Sequence, residues 1–407
     1  MQRRTFAIVG AGVAAAAAAD TLRSSGFDGR LVIVGGEPDL PYDRPALSKQ
    51  RLRGEVTDEQ VLFHPADYYQ AKEIELLLGH PVTNVDVTER RIQLENGDAL
   101  AFDAMLLATG AQPQHIRVPG SELGGIHYLR SLSDSRRLNQ ALQLRPRVLV
   151  LGTGFIGCEV AASARALGCE VKLVGRGAPL AHVLGEQIGN AYAEYHRGEG
   201  VDVRVNVSVE RFEGDSRVER ARLSDGSEVP CDVVVIGIGV SPSLDILHGQ
   251  PVQVDNGIFV DEFCHAGVPG IFAAGDVASS WNPRFAARLR VEHFYNAQLQ
   301  AVVAARAMLG PTEAYNPIPS FWSDQYSYKL QYRGYSPRWN GLAFRGQLQE
   351  GSFSAFYLAD GLVEAICSVN RDKENFAGRG LIGKRVDPKI LEDDAIPLRE
   401  IASAQHL

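Results

Sequence analysis

Two stretches of the chain share one order of apolar and polar positions. Each has a short apolar run, a glycine-rich turn, a stretch of small residues at helical spacing, and a second apolar run. In the first, Phe6 to Val9 leads to Gly10 and Gly12, then to an alanine-rich segment containing Ala15, then to Leu31 to Val34. In the second, Val148 to Leu151 leads to Gly152-Thr153-Gly154-Phe155-Ile156-Gly157 and on to a run closing at Val174. Apolar runs of this length bounded by glycine predict strands buried on both faces, so each stretch reads as strand, turn, helix, parallel strand.

Outside these units the pattern changes. Residues 52 to 80 read as helical and connective, with His64 and His80 apart from each other and from any acid cluster. Pro81 to Val87 and Arg91 to Leu94 read as short strands about the turn Glu95 to Asp98, and Phe102 to Leu107 as a buried strand. Residues 201 to 235 alternate, which predicts antiparallel strands. Cys231 to Gly239 is again apolar, and Ile271 to Asp276 reads as a strand ending in Gly275-Asp276 with a helix after it. Beyond residue 316 aromatic residues crowd together. Strands at Leu342 to Leu348, Ser352 to Leu358 and Leu362 to Asn370 then predict an antiparallel sheet with helices near the end.

The repeated unit carries a definite chemistry. Gly10 lets the chain turn, Gly12 leaves room for a pyrophosphate to approach the backbone, and Ala15 allows close packing of helix on strand. The pyrophosphate lies over the helix N-terminus, where free N–H groups favour negative charge. Glu37 then accepts hydrogen bonds from ribose hydroxyls. The second set, Gly152, Gly154, Phe155, Ile156 and Gly157, predicts a second dinucleotide. There no carboxylate follows the closing strand: Gly175 and Arg176 stand in its place. An acid would repel a 2′-phosphate and an arginine can accept one, so NADPH is permitted beside NADH.

Several further residues fall on the same edge of the predicted sheets. Pro41 to Lys49 is a proline-rich loop after the second strand. It places Lys49 either beside a bound cofactor or in solvent, and Arg44 either on a pyrophosphate or at the surface. Val82, the strand end Ala108-Thr109-Gly110, and Gly239 are further cofactor-side candidates. Glu159 either faces the nicotinamide or balances helical charge. Asp276 either caps a helix or bonds a ribityl hydroxyl. One nucleotide held and one visiting leaves no resident electron acceptor unless the held group is a flavin, which argues for FAD.

Composition narrows the class. A net charge of -8 argues against a nucleic-acid binder. No apolar run reaches membrane-spanning length, and reading Arg3, Arg4 and the alanines as an export signal would discard a complete unit. Five cysteines without CxxC or metal-ligand spacing predict small buried thiols, no metal site, and a reducing cytoplasm. Between residues 282 and 345 eight basic residues stand against three acidic ones, an excess able to steer an acidic partner if it forms one face.

The segments GAGVAAAAAA, PYDRPALSK, ATGAQP, LRSLSDSRRL, VLGTGFIGCEVAASA, VVVIGIGVSP, DNGIFVD, IFAAGDVA and FWSDQY occur in one order over nearly the whole chain. In this the chain resembles the FAD-dependent, NAD(P)H-linked ferredoxin reductases that serve bacterial aromatic-ring dioxygenases and cytochrome P450 systems. The resemblance implies an α/β fold of two Rossmann-like dinucleotide-binding domains, FAD (1–111 and 236–315) and NAD(P) (112–235), with a C-terminal α+β interface domain (316–407). It implies that Gly10, Gly12, Glu37, Arg44, Lys49, Arg130 and Asp276 bind FAD. Gly152, Gly154, Gly157, Glu159 and Glu292 belong to the nicotinamide side, and Trp322 lies near the flavin ring. Hydride would pass from NADH or NADPH to FAD, and electrons singly to a 2Fe-2S ferredoxin that supplies a terminal oxygenase. Gly175 departs from the Glu common in NADH-using relatives. A homodimer is left open, as are two other readings: an NAD(P)H oxidase or peroxidase, and a non-catalytic redox-sensing flavoprotein.

Overall fold

The computed structural model describes residues 3–403, so positions 1–2 and 404–407 at the outer ends of the first and third expected units lie outside the described residues. The first glycine unit builds a five-stranded parallel sheet. In spatial order its strands are Ile74–Leu78, Arg30–Gly35, Thr5–Val9, Ala104–Leu107 and Ile271–Ala273. The second builds its counterpart from Asp202–Arg204, Glu170–Val174, Arg147–Leu151, Val233–Ile236 and Ile126–Tyr128, again all parallel. The chain leaves and re-enters the first sheet through a two-stranded antiparallel ribbon, Ala111–Pro113 against Val240–Pro242.

Alanines explain the packing of the first sheet. Helix Val13–Ser24 lies against helix Phe294–Leu309, and Ala14, Ala18, Ala297, Ala301 and Ala304 are buried between sheet and helices. Side chains of one carbon let two helix backbones approach closely while losing almost no rotamer freedom.

The third unit is a five-stranded antiparallel sheet in the order Ser320–Gln325, Tyr328–Gly334, Leu362–Val369, Ser352–Ala359, Gly341–Gln347, followed by helices Asp372–Gly378, Pro388–Glu392 and Leu398–Ser403. Its first strand alternates strictly. Phe321, Ser323 and Gln325 are buried, while Trp322 and Asp324 on the other face are half-buried. Alternation with period two puts these three side chains in one inward row.

Three sequence expectations change. The 52 to 80 segment holds the edge strand Ile74–Leu78 as well as short helices; five residues with no alternation leave no period to detect. No helix follows Asp276: Gly275, at φ +83°, turns the chain into strand Ala278–Asn282, which pairs with Gly257–Val260. His64 is not remote from acids, since its Nε2 lies 2.8 Å from Asp20 Oδ2. The cysteines behave as expected: all five are free and buried, and burial raises each thiol above its ordinary pKa. Among the described residues no helix is long and apolar enough to cross a membrane, and no group of three or more His, Cys, Asp or Glu side chains is placed to hold a metal.

The two glycines of the first turn are needed for different reasons. At Gly10, φ is +118° and a Cβ would lie 2.1 Å from the carbonyl oxygen of Ala108, whereas a Cβ on Gly12 meets no atom within 4 Å. Gly10→Ala should therefore destabilise the apoprotein by more than about 3 kcal/mol through backbone strain and collision. Gly12→Ala should leave the apoprotein Tm within a few degrees of the parent yet weaken FAD binding at least ~10-fold, by filling the space over the turn. Thermal melts and flavin titration of the two variants check this; a Gly12→Ala protein that binds FAD as the parent does would contradict the assigned cradle.

Candidate active site

The second turn repeats the first at its two leading glycines. Gly152 has φ +110°, and a Cβ on it would lie 2.1 Å from Gly237 O; Gly154 has only the edge of His182 at 3.9 Å. Gly157 would collide with Gly152 O at 1.9 Å, so it is required for helix–strand contact, the role filled in the first unit by the fully buried Ala15. Beside the second turn Ile156 and Ile238 stay exposed, while Phe155 turns inward against Phe321 of the third unit, ring centroids 4.9 Å apart. Ile238 was not picked out from the sequence.

Hydrogen bonds align the ends of the two units. Gly10 N–H donates to Val34 O at 2.7 Å and Gly152 N–H to Val174 O at 2.9 Å. Gly35 is therefore equivalent to Gly175, and the position answering Glu37 is Gly177, two residues beyond the one compared in the sequence. A Cβ on Gly175 would meet Thr153 Cγ2 at 2.6 Å, whereas Gly177 has open space. Thr153 thus occupies the room that a side chain at position 175 would need. Arg176 is exposed.

Around the first cradle the charged candidates are already paired. Arg44 reaches Glu37 Oε1 at 2.6 Å, and Tyr42 O–H donates to Glu37 Oε2 at 2.5 Å. Burial, and then the charge of Glu37, push the Tyr42 phenol well above its ordinary pKa, so it remains a donor. Arg130 pairs with Asp276 at 3.0 Å, with Gly110 close against its guanidinium. Arg290 reaches both the Asp276 carbonyl, at 3.3 Å, and Glu292, at 2.5 Å. Burial raises the Glu292 carboxyl above its ordinary pKa, opposed by Arg290. Ala108 and Thr109 follow the strand that closes on Gly10, and Thr109 Oγ1 donates to Ser243 O at 2.9 Å. Val82 opens the sheet of Val82–Asp86, Arg91–Leu94 and Ala99–Ala101 directly after Pro81, which lies against Gly36, and Gly239, φ +114°, follows Ile238 at the crossover ribbon.

Between the two cradles lies the pair the sequence left open. Lys49 ends the turn Arg44–Ser48, and Glu159 is on helix Phe155–Ala166 just beyond the second glycine turn. Lys49 Nζ is 2.7 Å from Glu159 Oε2, both residues are about 95% buried, and Nζ also donates to Pro45 O at 3.1 Å. Glu159 Oε2 accepts from Ser48 as well, and Oε1 accepts from Ser323 Oγ at 2.7 Å. Lys49 is therefore not a solvent lysine, and Glu159 is not a surface residue balancing helix charge. Ser48 and Ser323 were missed; a contact spanning 164 positions leaves no mark in local spacing.

At the outer side, Trp322 packs on Tyr295 at 4.9 Å and Phe294 at 5.8 Å. Tyr295 and Leu299, one helical turn apart, are about half exposed, and Phe376 is 65% exposed. The basic residues do not form one face. Arg345 is buried and paired with Asp394, Arg288 bonds the carbonyls of Val260 and Ser279, and Arg290 is paired inside. Arg333 remains half-buried beside Asn375, and burial together with nearby Arg379, an exposed residue not singled out from the sequence, lowers its pKa.

Residues 4–301 match the family model described as pyridine nucleotide-disulphide oxidoreductase, and residues 320–402 the one described as reductase C-terminal. A ferredoxin–NAD(P)+ reductase of Sphingomonas sp. is 36% identical over 399 residues, covering 96% of both chains. The ferredoxin–NAD+ reductase component of the biphenyl dioxygenase system of Paraburkholderia xenovorans is 36% identical over 406 residues, 98% of this chain and 99% of the relative. The crystal structure of a covalent putidaredoxin reductase–putidaredoxin complex matches with a TM-score of 0.94 at 34% identity, covering 98% of each chain. Paired glycine cradles, a buried lysine–glutamate contact between them and end-to-end relatives agree: the chain belongs to the pyridine nucleotide-disulphide oxidoreductase family and, within it, to the ferredoxin–NAD(P)+ reductases.

Proposed function

We propose that this reductase takes electrons from NADH, and less efficiently from NADPH, through FAD to an acidic 2Fe-2S ferredoxin that supplies an oxygenase in the cytoplasm. The observation that carries this reading is the buried Lys49–Glu159 contact, which joins the unit of the first glycine cradle to that of the second. Residues 1–111 and 236–315 are assigned to FAD, 112–235 to the coenzyme, and 316–407 to the partner interface. The open space over Gly12 and Gly154 fits two dinucleotides. Glu37, Arg44, Arg130 and Asp276 line the FAD side. When bound, the flavin supplies hydride acceptance from a nicotinamide and release of electrons one at a time.

The side chains hold and orient. Gly12 and the N-terminus of helix Val13–Ser24 receive pyrophosphate. Lys49 holds a positive charge in a water-poor site, where electrostatic effects are stronger than in solvent, and Glu159 holds that charge in place. Ile156 and Ile238 give the visiting coenzyme an apolar seat. The peroxidase reading is disfavoured by five buried thiols with raised pKa values, which leave no thiolate to react.

Two outcomes follow. Arg176→Ala should lower kcat/KM with NADPH roughly 10-fold, the loss of one charge-assisted contact, while NADH stays within about twofold. Gly177→Glu, which enters open space, should widen the preference for NADH, whereas Gly175→Glu must first displace Thr153. Steady-state kinetics with both coenzymes and one saturating acceptor decide it. A parent enzyme that already rejects NADPH as strongly as Gly177→Glu contradicts the role of this turn.

For the partner, the apolar patch of Tyr295, Leu299 and Phe376 beside Arg333 and Arg379 is the expected docking face. Reversing Arg333 and Arg379 to Glu should slow association with an acidic ferredoxin about 10-fold or more and flatten its salt dependence, with reduction by NADH unchanged. Ferredoxin-dependent cytochrome c reduction measured against salt reads this directly. Equal rates for parent and double variant at low salt would move the docking face elsewhere, and turnover that never depends on added ferredoxin would overturn the proposed function.

A further inference from the structure

Glu159 is one end of a longer buried chain. Ser323 Oγ, which bonds Glu159, accepts from Gln325 Nε2 at 3.1 Å; Gln325 Oε1 faces His196 Nε2 at 3.1 Å; and His196 Nδ1 faces Tyr326 Oη at 2.9 Å. Ser323 and His196 are fully buried and Gln325 is 1% exposed. Helix Glu186–Gly198 of the coenzyme unit carries His196, so the chain runs along the seam between the second and third units.

The carboxylate sets the direction of every bond. An ionised Glu159 only accepts, so Ser323 must give it its single O–H. The Ser323 oxygen then accepts from the Gln325 amide, which turns Gln325 Oε1 toward His196. His196 must therefore carry its proton on Nε2 and accept from Tyr326 at Nδ1. Burial favours this neutral ring, lowering the His196 pKa to about 4. Donors aligned in one sense polarise one another, and all of them here point at Glu159. Tyr326 holds its end of the chain in a left-handed backbone conformation, φ +54°, which a bulky side chain adopts only when its surroundings impose it.

We propose that Ser323, Gln325 and His196 are positioning residues: they hold the Glu159 carboxylate, and through it Lys49, in place for flavin reduction, and they make that placement depend on docking of the third unit on the second. The proposal rests on the reading of Lys49 and Glu159 given above. A purely structural seam would need the packing but not the ordered donors. Strand period two supplies the order, because Ser323 and Gln325 share one face of the strand and meet Glu159 and His196 on two different helices.

The test uses the flavin-loaded enzyme, anaerobic single-turnover reduction by NADH, the visible spectrum of the oxidised flavin, and Tm. Ser323→Ala should keep its flavin, shift the visible band and slow reduction about 10-fold, the loss of one hydrogen bond to a charged group. Ser323→Thr, which keeps the hydroxyl, should return the spectrum and the rate to the parent's. Gln325→Met should slow reduction by about threefold in the parent and add nothing in the Ser323→Ala background, the non-additivity of one connected network. Gln325→Met leaves the Ser323–Glu159 bond in place, so it carries the test alone should Ser323→Ala fail to fold. Unchanged rate and spectrum in either variant, or multiplying effects in the double variant, would overturn the relay. Glu159→Gln separates the two layers. If it reduces flavin at the parent rate, the reading of the ion pair itself falls; if it is slow while Ser323→Ala is not, only the relay falls.

Discussion

A lysine and a glutamate taken out of water together constrain the whole molecule. Each ion loses several kcal/mol of hydration, and their attraction offsets this only when geometry is tight and the remaining polar atoms are bonded. Lys49 and Glu159 meet both conditions, with Pro45, Ser48 and Ser323 as the other partners. The partners come from three units, so the pair is satisfied only when all three are docked. Removing one member of such a pair characteristically costs about 3–5 kcal/mol, because the other is left buried and uncompensated. The contact is therefore a condition on the assembly of the fold and on the crevice between the two cradles.

The cradles impose a second constraint of a different kind. Each glycine turn lets a neighbouring strand end pass within reach of its backbone, Ala108 over Gly10 and Gly237 over Gly152. The missing side chain thus brings a turn and a strand end together at one edge of each parallel sheet, the edge where open α/β sheets bind ligands. The proline-rich loop carrying Lys49 and the helix carrying Glu159 both start from that edge. Proximity of the charge pair to both cradles thus follows from topology before any charge is considered.

Much of this was legible in the chain. The two glycine turns, their buried parallel strands and the aromatic antiparallel sheet each have a period or a steric requirement that local sequence displays. What stayed hidden depends on contacts between distant segments. Lys49 had a solvent reading beside the cofactor one, and Glu159 a helix-charge reading beside the nicotinamide one, and only the packing of the coenzyme unit on the loop decides both. Ser323 and Gln325 look like ordinary polar strand residues, and only the register of their strand shows them facing inward. The run of arginines misled for the same reason: Arg345, seven positions beyond the exposed Arg338, is buried against Asp394, while Arg379 near Arg333 comes from another segment. Gly175 was set against Glu37 because it comes directly after Val174, which closes the strand; backbone hydrogen bonds shift the equivalence to Gly177.

The central claim is that the Lys49 charge, held by Glu159, acts on the bound flavin. Anaerobic rapid-mixing of NADH with flavin-loaded Lys49→Met, monitored by bleaching of the visible flavin band, tests it most directly. The account predicts that the variant retains FAD but is reduced at least ~10-fold more slowly than the parent, since one fixed charge in a water-poor site contributes more than about 1.4 kcal/mol. A folded, fully loaded Lys49→Met enzyme reduced at the parent rate would contradict it and leave the pair a purely structural contact.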